Sequence, residues 1–306
     1  MPAQETPREF HLLEVEQKAY ELLAKKRERI ELSSFADLYE KGVIEKDELT
    51  VREIEKTFSS DKTKEGLKKL SELFEVLFSK LVELEDWLGD DVFVVETSTF
   101  DDYVNGVDAV AEFLREGSFT HLGLAIDVTF TKDTQKKITK IRDEIKGGKL
   151  PLVRYFVSES GDFRGELSNI PRVILGTDRK TLDELAELWL DFLHLRKRKQ
   201  ALAEGEVPSQ LTQKIRKVKE KLQNHPLQIE LLAQIELQLE SFGKYAASLG
   251  KTDIALKYKN VLAIIRKIRD GKKEIENSPE TKTREMKMFH DIEHALNSVL
   301  PAPASE

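Results

Sequence analysis

The chain has 306 residues, 40% hydrophobic and 8% aromatic, enough apolar side chains for a packed core, which excludes a globally disordered polymer. It contains no cysteine, so disulfide frameworks, thiolate metal centres, iron–sulfur clusters and cysteine nucleophiles are excluded as well. The formal charge of −7 is uneven: residues 1–100 carry 15 basic and 24 acidic side chains, residues 101–190 carry 13 and 16, and residues 191–306 carry 21 and 16. The acidic whole disfavours non-specific polyanion binding, while the basic last third can present a local patch.

The opening MPAQETPREFHLLEVEQKAYELL lacks the basic start and apolar run of a secretory signal. No stretch approaches 18 uninterrupted apolar residues, so no membrane partner is expected and a soluble, cytoplasmic protein is. Residues 1–62 read as an N-terminal helical extension. Leu13, Tyr20, Leu23 and Ile30 form a narrow apolar stripe over 8–31. Ser33 or Ser34 can cap a short helix through Tyr39, and Asp47 to Phe58 forms another.

Residues 63–192 read as an α/β core. Leu67, Leu70, Phe74, Leu77, Leu81, Leu84 and Leu88 predict a strong helix over 64–88. The period then changes to two. Strands are expected at 91–97, 104–113, 122–130, 150–157 and 170–175. A helix over 133–145 carries Ile138, Ile141 and Ile145, and another starts at Leu182 behind a Thr181 cap. A hairpin followed by a strand–helix–strand crossover implies a mixed β-sheet flanked by helices. Residues 193–300 are expected to be helical again, with Pro226 opening a long helix through Ala247, and Asp253 starting its antiparallel partner after Gly250. The tail 301–306, PAPASE, is expected to be disordered.

The third strand, LGLAIDVTF, supplies the chemical clue. Leu122, Leu124, Ile126, Val128 and Phe130 share one face, leaving Asp127 with Gly123, Ala125 and Thr129 on the other. A carboxylate in so apolar a strand needs a cation, a basic partner or a cleft. Asp108, on the face of Val110 and Glu112 in the preceding strand, can converge with Asp127 on one hard divalent ion. Plain structural roles compete: Asp108 as a turn residue after Asn105-Gly106, and Asp127 in a strand-end ion pair.

With Asp108 in the second strand and Asp127-Val128-Thr129 in the third, residues 64–180 resemble the PD-(D/E)XK superfamily, the restriction-endonuclease-like nucleases. The resemblance implies a restriction-endonuclease-like mixed-sheet core, to which the helical sections read at 1–62 and 193–300 are N- and C-terminal extensions. It implies a phosphodiesterase acting on DNA or RNA through Mg²⁺ or Mn²⁺, with Asp108 and Asp127 as metal ligands. Glu85 best matches the helix glutamate that sometimes joins them. Thr129 stands where the family has its lysine, which puts catalysis in doubt, and Lys137 on the next helix is the expected substitute, ahead of Lys132, Lys136 and Lys140.

Three functions stay open: a Mg²⁺-dependent nuclease, an inactive nuclease-fold module that binds nucleic acid, and a helical interaction protein that docks a partner or self-associates through its C-terminal helices. Other chemistries lack their motifs. His290 and His294 have i,i+4 spacing, but Asp291 stands where the zinc-protease pattern requires glutamate. No phosphate-binding glycine loop and no GxSxG elbow is present.

Overall fold

In the computed structural model, residues 11–25, 27, 29–59, 62–115, 118–128, 134–202 and 208–300 are described. The N-terminal section forms α1 (Glu14–Ala19), a π-helical turn (Tyr20–Ala24), a 3₁₀ turn (Leu32–Phe35) and α2 (Lys41–Ser59). The helix expected through Tyr39 thus shrinks to one 3₁₀ turn, and the next begins six residues earlier than read. Helix α3 (Lys62–Glu85) follows as anticipated, burying Leu70, Phe74, Leu77 and Leu81.

Three strands come next: β1 (Val92–Glu96), β2 (Ala109–Arg115) and β3 (Ser118–Val128). The second starts five residues later than expected, because Asp101–Asn105 coils into a π-helical turn. Gly106, at φ +69°, reverses the chain out of it in a conformation that disfavours any Cβ. Helix α4 (Thr134–Gly147) crosses over, and β4 (Val153–Val157), β5 (Arg164–Leu167) and β6 (Arg172–Thr177) follow.

The main sheet is mixed, in the order β1-β2-β3-β6. Its first two pairings are antiparallel, and β3 and β6 are parallel. The expected fourth strand does not join it. Instead β4 pairs with β5 in a separate two-stranded sheet.

Strand alternation sorts the side chains into two layers. Ala111, Phe113, Leu122, Leu124, Val173 and Leu175 pack with α3 in the large hydrophobic core. Val95 and Val110, on the opposite face, meet Val153, Phe156 and Leu167 of the small sheet. Each fully buried Val, Leu or Phe among them contributes about 1.5–3 kcal/mol on burial.

Helices α5 (Arg179–Gln200), α6 (Ser209–Gln223), α7 (Leu227–Ser248), α8 (Thr252–Asp270), α9 (Lys273–Glu276), α10 (Pro279–Thr283) and α11 (Lys287–Val299) complete the chain. Helices α7 and α8 form the expected antiparallel hairpin around Gly250. One core cluster runs from Ala19 to Leu296, so the three sections of the sequence share it. Helix α7 also performs a sheet function: Gln234 and Gln238 hydrogen-bond the backbone of Gly176 and Ile174 along the outer edge of β6. Among the described residues, no helix is long and apolar enough to cross a membrane.

Candidate functional site

The Asn105-Gly106 turn places Asp108 just before β2, where its N–H donates to the Leu124 carbonyl at 2.9 Å. The Thr97 N–H and hydroxyl both donate to the Asp108 carbonyl, at 3.1 and 3.2 Å. Because it precedes the strand, Asp108 is not bound to the face of Val110 and Glu112 that alternation assigned to it. Its carboxyl group is hydrogen-bonded to Asp102 and lies in the field of Glu75 on α3.

These three acids form the heart of a larger cluster. Burial, then the negative charge of Asp108, pushes Glu75 up to about 7 against the opposing Arg27. Burial and the Glu75 carboxylate likewise push Asp102 up to about 6, against the Asp108 hydrogen bond. Arg27 pairs with Glu75 at 2.9 Å and approaches Glu96 at 3.6 Å. Arg29 pairs with Glu72 at 2.6 Å and donates to the Thr99 hydroxyl at 3.1 Å. Tyr20 also donates to Glu72, and Lys68 donates to the Tyr103 hydroxyl. The N-terminal segment therefore brings fixed cations to acids from α3, β1 and the Asp101–Asn105 turn.

The other nominated residues fall elsewhere. Glu85 does not join Asp108. It is ten residues beyond Glu75, about 15 Å along the helix axis, and lines a different cavity with Asp86, Gly89 and Lys272. Its buried Oε2 has no hydrogen-bond partner. The backbone of Asp127 lies in β3 beside Gly176, three residues past the Leu124 that pairs with β2. Nothing is described of its side chain. Thr129 and Lys132 lie outside the described residues. Lys137 is half-buried on α4. Lys140 of α4, ranked behind Lys137 from the sequence, approaches the Asp108 turn, its ammonium donating to the Asn105 carbonyl at 3.3 Å.

Sequence reasoning missed Glu75, Asp102, Arg27 and Arg172. Arg172, buried at the start of β6, donates to the Asn105 and Gly106 carbonyls at 2.7 and 2.9 Å. Its other terminal nitrogen meets both Glu144 oxygens at 2.9 Å. It thereby holds the turn that presents Asp108. A usable signal existed for Glu75: it sits beside Phe74 inside an apolar helix stripe, where an unpaired carboxylate is costly.

No protein-family model matches the chain, and neither a curated protein nor a solved structure matches it significantly. A functional reading therefore rests on the site chemistry. Among the described residues no group of three His, Asp or Glu is arranged to hold a metal ion.

The second concentration of charge is basic. The last turns of α5 expose Arg196, Lys197, Arg198 and Lys199, and α6 exposes Lys214, Arg216, Lys217, Lys219 and Lys221. Leu211, Ile215, Val218 and Leu222 repeat at helical spacing and turn inward, which leaves the cations on the outer face of α6.

Proposed function

We propose that the chain is a nucleic-acid-binding module built on a nuclease-like α/β core. One observation carries this reading: residues 196–221 hold nine basic and three acidic side chains in a chain of net charge −7. A phosphate backbone is the polyanion that rewards such an array, through counterion release on each contact. In support, α3, three antiparallel strands and the α4 crossover lead to a parallel β6 in one mixed sheet, with the separate β4–β5 pair inserted before it. The built-in cations Arg27 and Arg29 favour binding over catalysis, since they already neutralise acids beside Asp108.

Fluorescence anisotropy with a labelled duplex and a labelled single strand, at several salt concentrations, tests it. Affinity falls with salt at a log–log slope of roughly 0.9 per phosphate contact on duplex and 0.7 on single strands. The K214E/R216E/K217E variant weakens binding and flattens the slope by about two to three contacts. Absence of binding at low salt, or an unchanged slope, rejects the reading.

A second reading, phosphodiester hydrolysis, draws on the convergence of Asp108, Asp102 and Glu75. On this reading Asp108 and Asp127 are the proposed ligands, carboxylates being the donors that Mg²⁺ and Mn²⁺ favour. A bound divalent ion would supply charge neutralisation for the attacked phosphate. Lys137 or Lys140 would hold the phosphate or the water. Cleavage of plasmid and of a single-stranded oligonucleotide with either metal, abolished in D108A and in D127A, decides for it. Salt-sensitive binding without cleavage leaves the binding module alone.

A further inference from the structure

Lys214, Lys217 and Lys221 stand at i, i+3 and i+7 on α6, one row about 10 Å long. Arg196, Lys197, Arg198 and Lys199 crowd the last turns of α5, which packs beside α6. Over that length a duplex presents about three phosphates on each strand, roughly one charge per 1.7 Å of axis. A single strand offers the same cations a lower charge density, and each contact releases fewer counterions.

Two features withhold what a single strand needs. Single strands are held largely by bases stacking on aromatic side chains, each stack being worth roughly five- to hundredfold in affinity. Residues 193–224 contain no Phe, Tyr or Trp. The adjacent Phe192 is 6% exposed, and the Arg196 guanidinium lies over its ring, 5.6 Å from the centroid. No base can stack there without displacing a cation.

The second feature is the sign of the neighbouring depression. A cavity of about 870 Å³ adjoins the row, with Lys217 and Lys221 on its α6 wall. Its other walls are acidic: Glu184, Glu187 and Asp191 come from α5, and Glu274 and Glu280 from α9 and α10. Single-strand binders track the backbone through a positively charged groove, whereas this concavity repels phosphate. The cations are left to be met from outside the two helices, where a stiff duplex can lie across them and a flexible strand finds no walls.

Resting on the nucleic-acid reading above, we propose that the α5–α6 array takes a double-stranded ligand, held by its phosphate backbones, in preference to a single strand. Duplex DNA and duplex RNA share that chemistry.

Anisotropy titrations of the full-length protein at about 0.1 M salt test it, with a labelled DNA duplex, RNA duplex and unstructured single strand matched in phosphate count. For about five contacts, the difference between the duplex and single-strand salt slopes amounts to roughly tenfold at that salt, and at least one duplex should bind tighter than the single strand by that factor. The tighter duplex identifies the source. A single strand that binds as tightly as both duplexes overturns the preference and leaves nucleic-acid binding standing. Failure of all three to bind removes the binding reading itself. Q213W adds an exposed ring one helical turn before Lys217. It should raise single-strand affinity roughly five- to hundredfold and leave the duplexes unchanged. Single-strand affinity unchanged in Q213W overturns the account of the preference by missing stacking. Should Q213W fail to fold, the wild-type titrations alone decide.

Discussion

Gln238 bonds both backbone groups of Ile174: its Oε1 accepts the N–H at 2.8 Å and its Nε2 donates to the carbonyl at 2.7 Å. One helical turn earlier, Gln234 does the same for Gly176, at 3.0 Å in each direction. Two side chains at i,i+4 thus take the place of a neighbouring strand. Replacing Gln238 by Met keeps the volume and orphans a buried N–H and a buried carbonyl. The expected loss is about 2–5 kcal/mol in chemical denaturation. Hydrogen exchange should show the Ile174 amide losing protection before the inner strands do.

Asp101 is the buried hub of the turn ahead of Asp108. Its carboxylate accepts the Arg154 and Tyr155 N–H groups at 2.7 and 3.0 Å, the Ser98 hydroxyl at 2.7 Å and the Asn105 amide at 2.7 Å. In D101N one oxygen becomes an NH₂ that faces donors. We expect a loss of about 2–4 kcal/mol, read as a lowered thermal midpoint, with amide exchange accelerated at Arg154 and Tyr155. An unchanged midpoint would show that the turn and β4 hold together without it.

Arg27 and Glu75 form a nearly buried pair, and breaking one side leaves the other charge stranded. R27M should cost about 3–5 kcal/mol. E75Q in the same chain should recover much of that loss. A double-mutant cycle measures the coupling, and additive losses would mean that the pair does not matter energetically.

Glu230, buried on α7, is pushed up to about 7, chiefly by burial and against the opposing Arg284. A carboxyl whose folded value exceeds its unfolded one takes up a proton on folding between those values. Its contribution is therefore greatest below the unfolded value near 4.5 and declines as pH rises through about 7. E230Q should flatten the stability profile between roughly pH 4.5 and 7. Urea midpoints collected across that range test the slope, and a wild-type-like slope in E230Q would assign it to other groups.

Local periodicity made much of the fold legible. The leucine repeat of α3, the isoleucine stripe of α4, the α7–α8 hairpin and the inward face of Leu122 and Leu124 all follow from spacing alone. The failures came from partners distant in sequence. Residues 150–157 read as a sheet strand, yet β4 pairs with Arg164–Leu167, whose mixed polar character gave no strand signal. Glu75 carries no sequence signal of its partner, because Arg27, the cation that explains it, lies 48 residues away. The reach of Lys140 to Asn105 is not legible either, because it depends on how the crossover helix seats on the turn. Asp108 was assigned to a strand face, but a π-helical turn delays the strand and frees it from alternation.

Since α7 supplies the hydrogen-bonding row that β6 would otherwise lack, the α/β portion cannot be excised cleanly from the chain. A fragment ending after α5 would bare a strand edge with unpaired amides and carbonyls, a template for joining the same edge of another molecule. Shortened versions are therefore expected to precipitate or form chains of sheets, and biochemical work on this protein calls for the C-terminal helices to be kept.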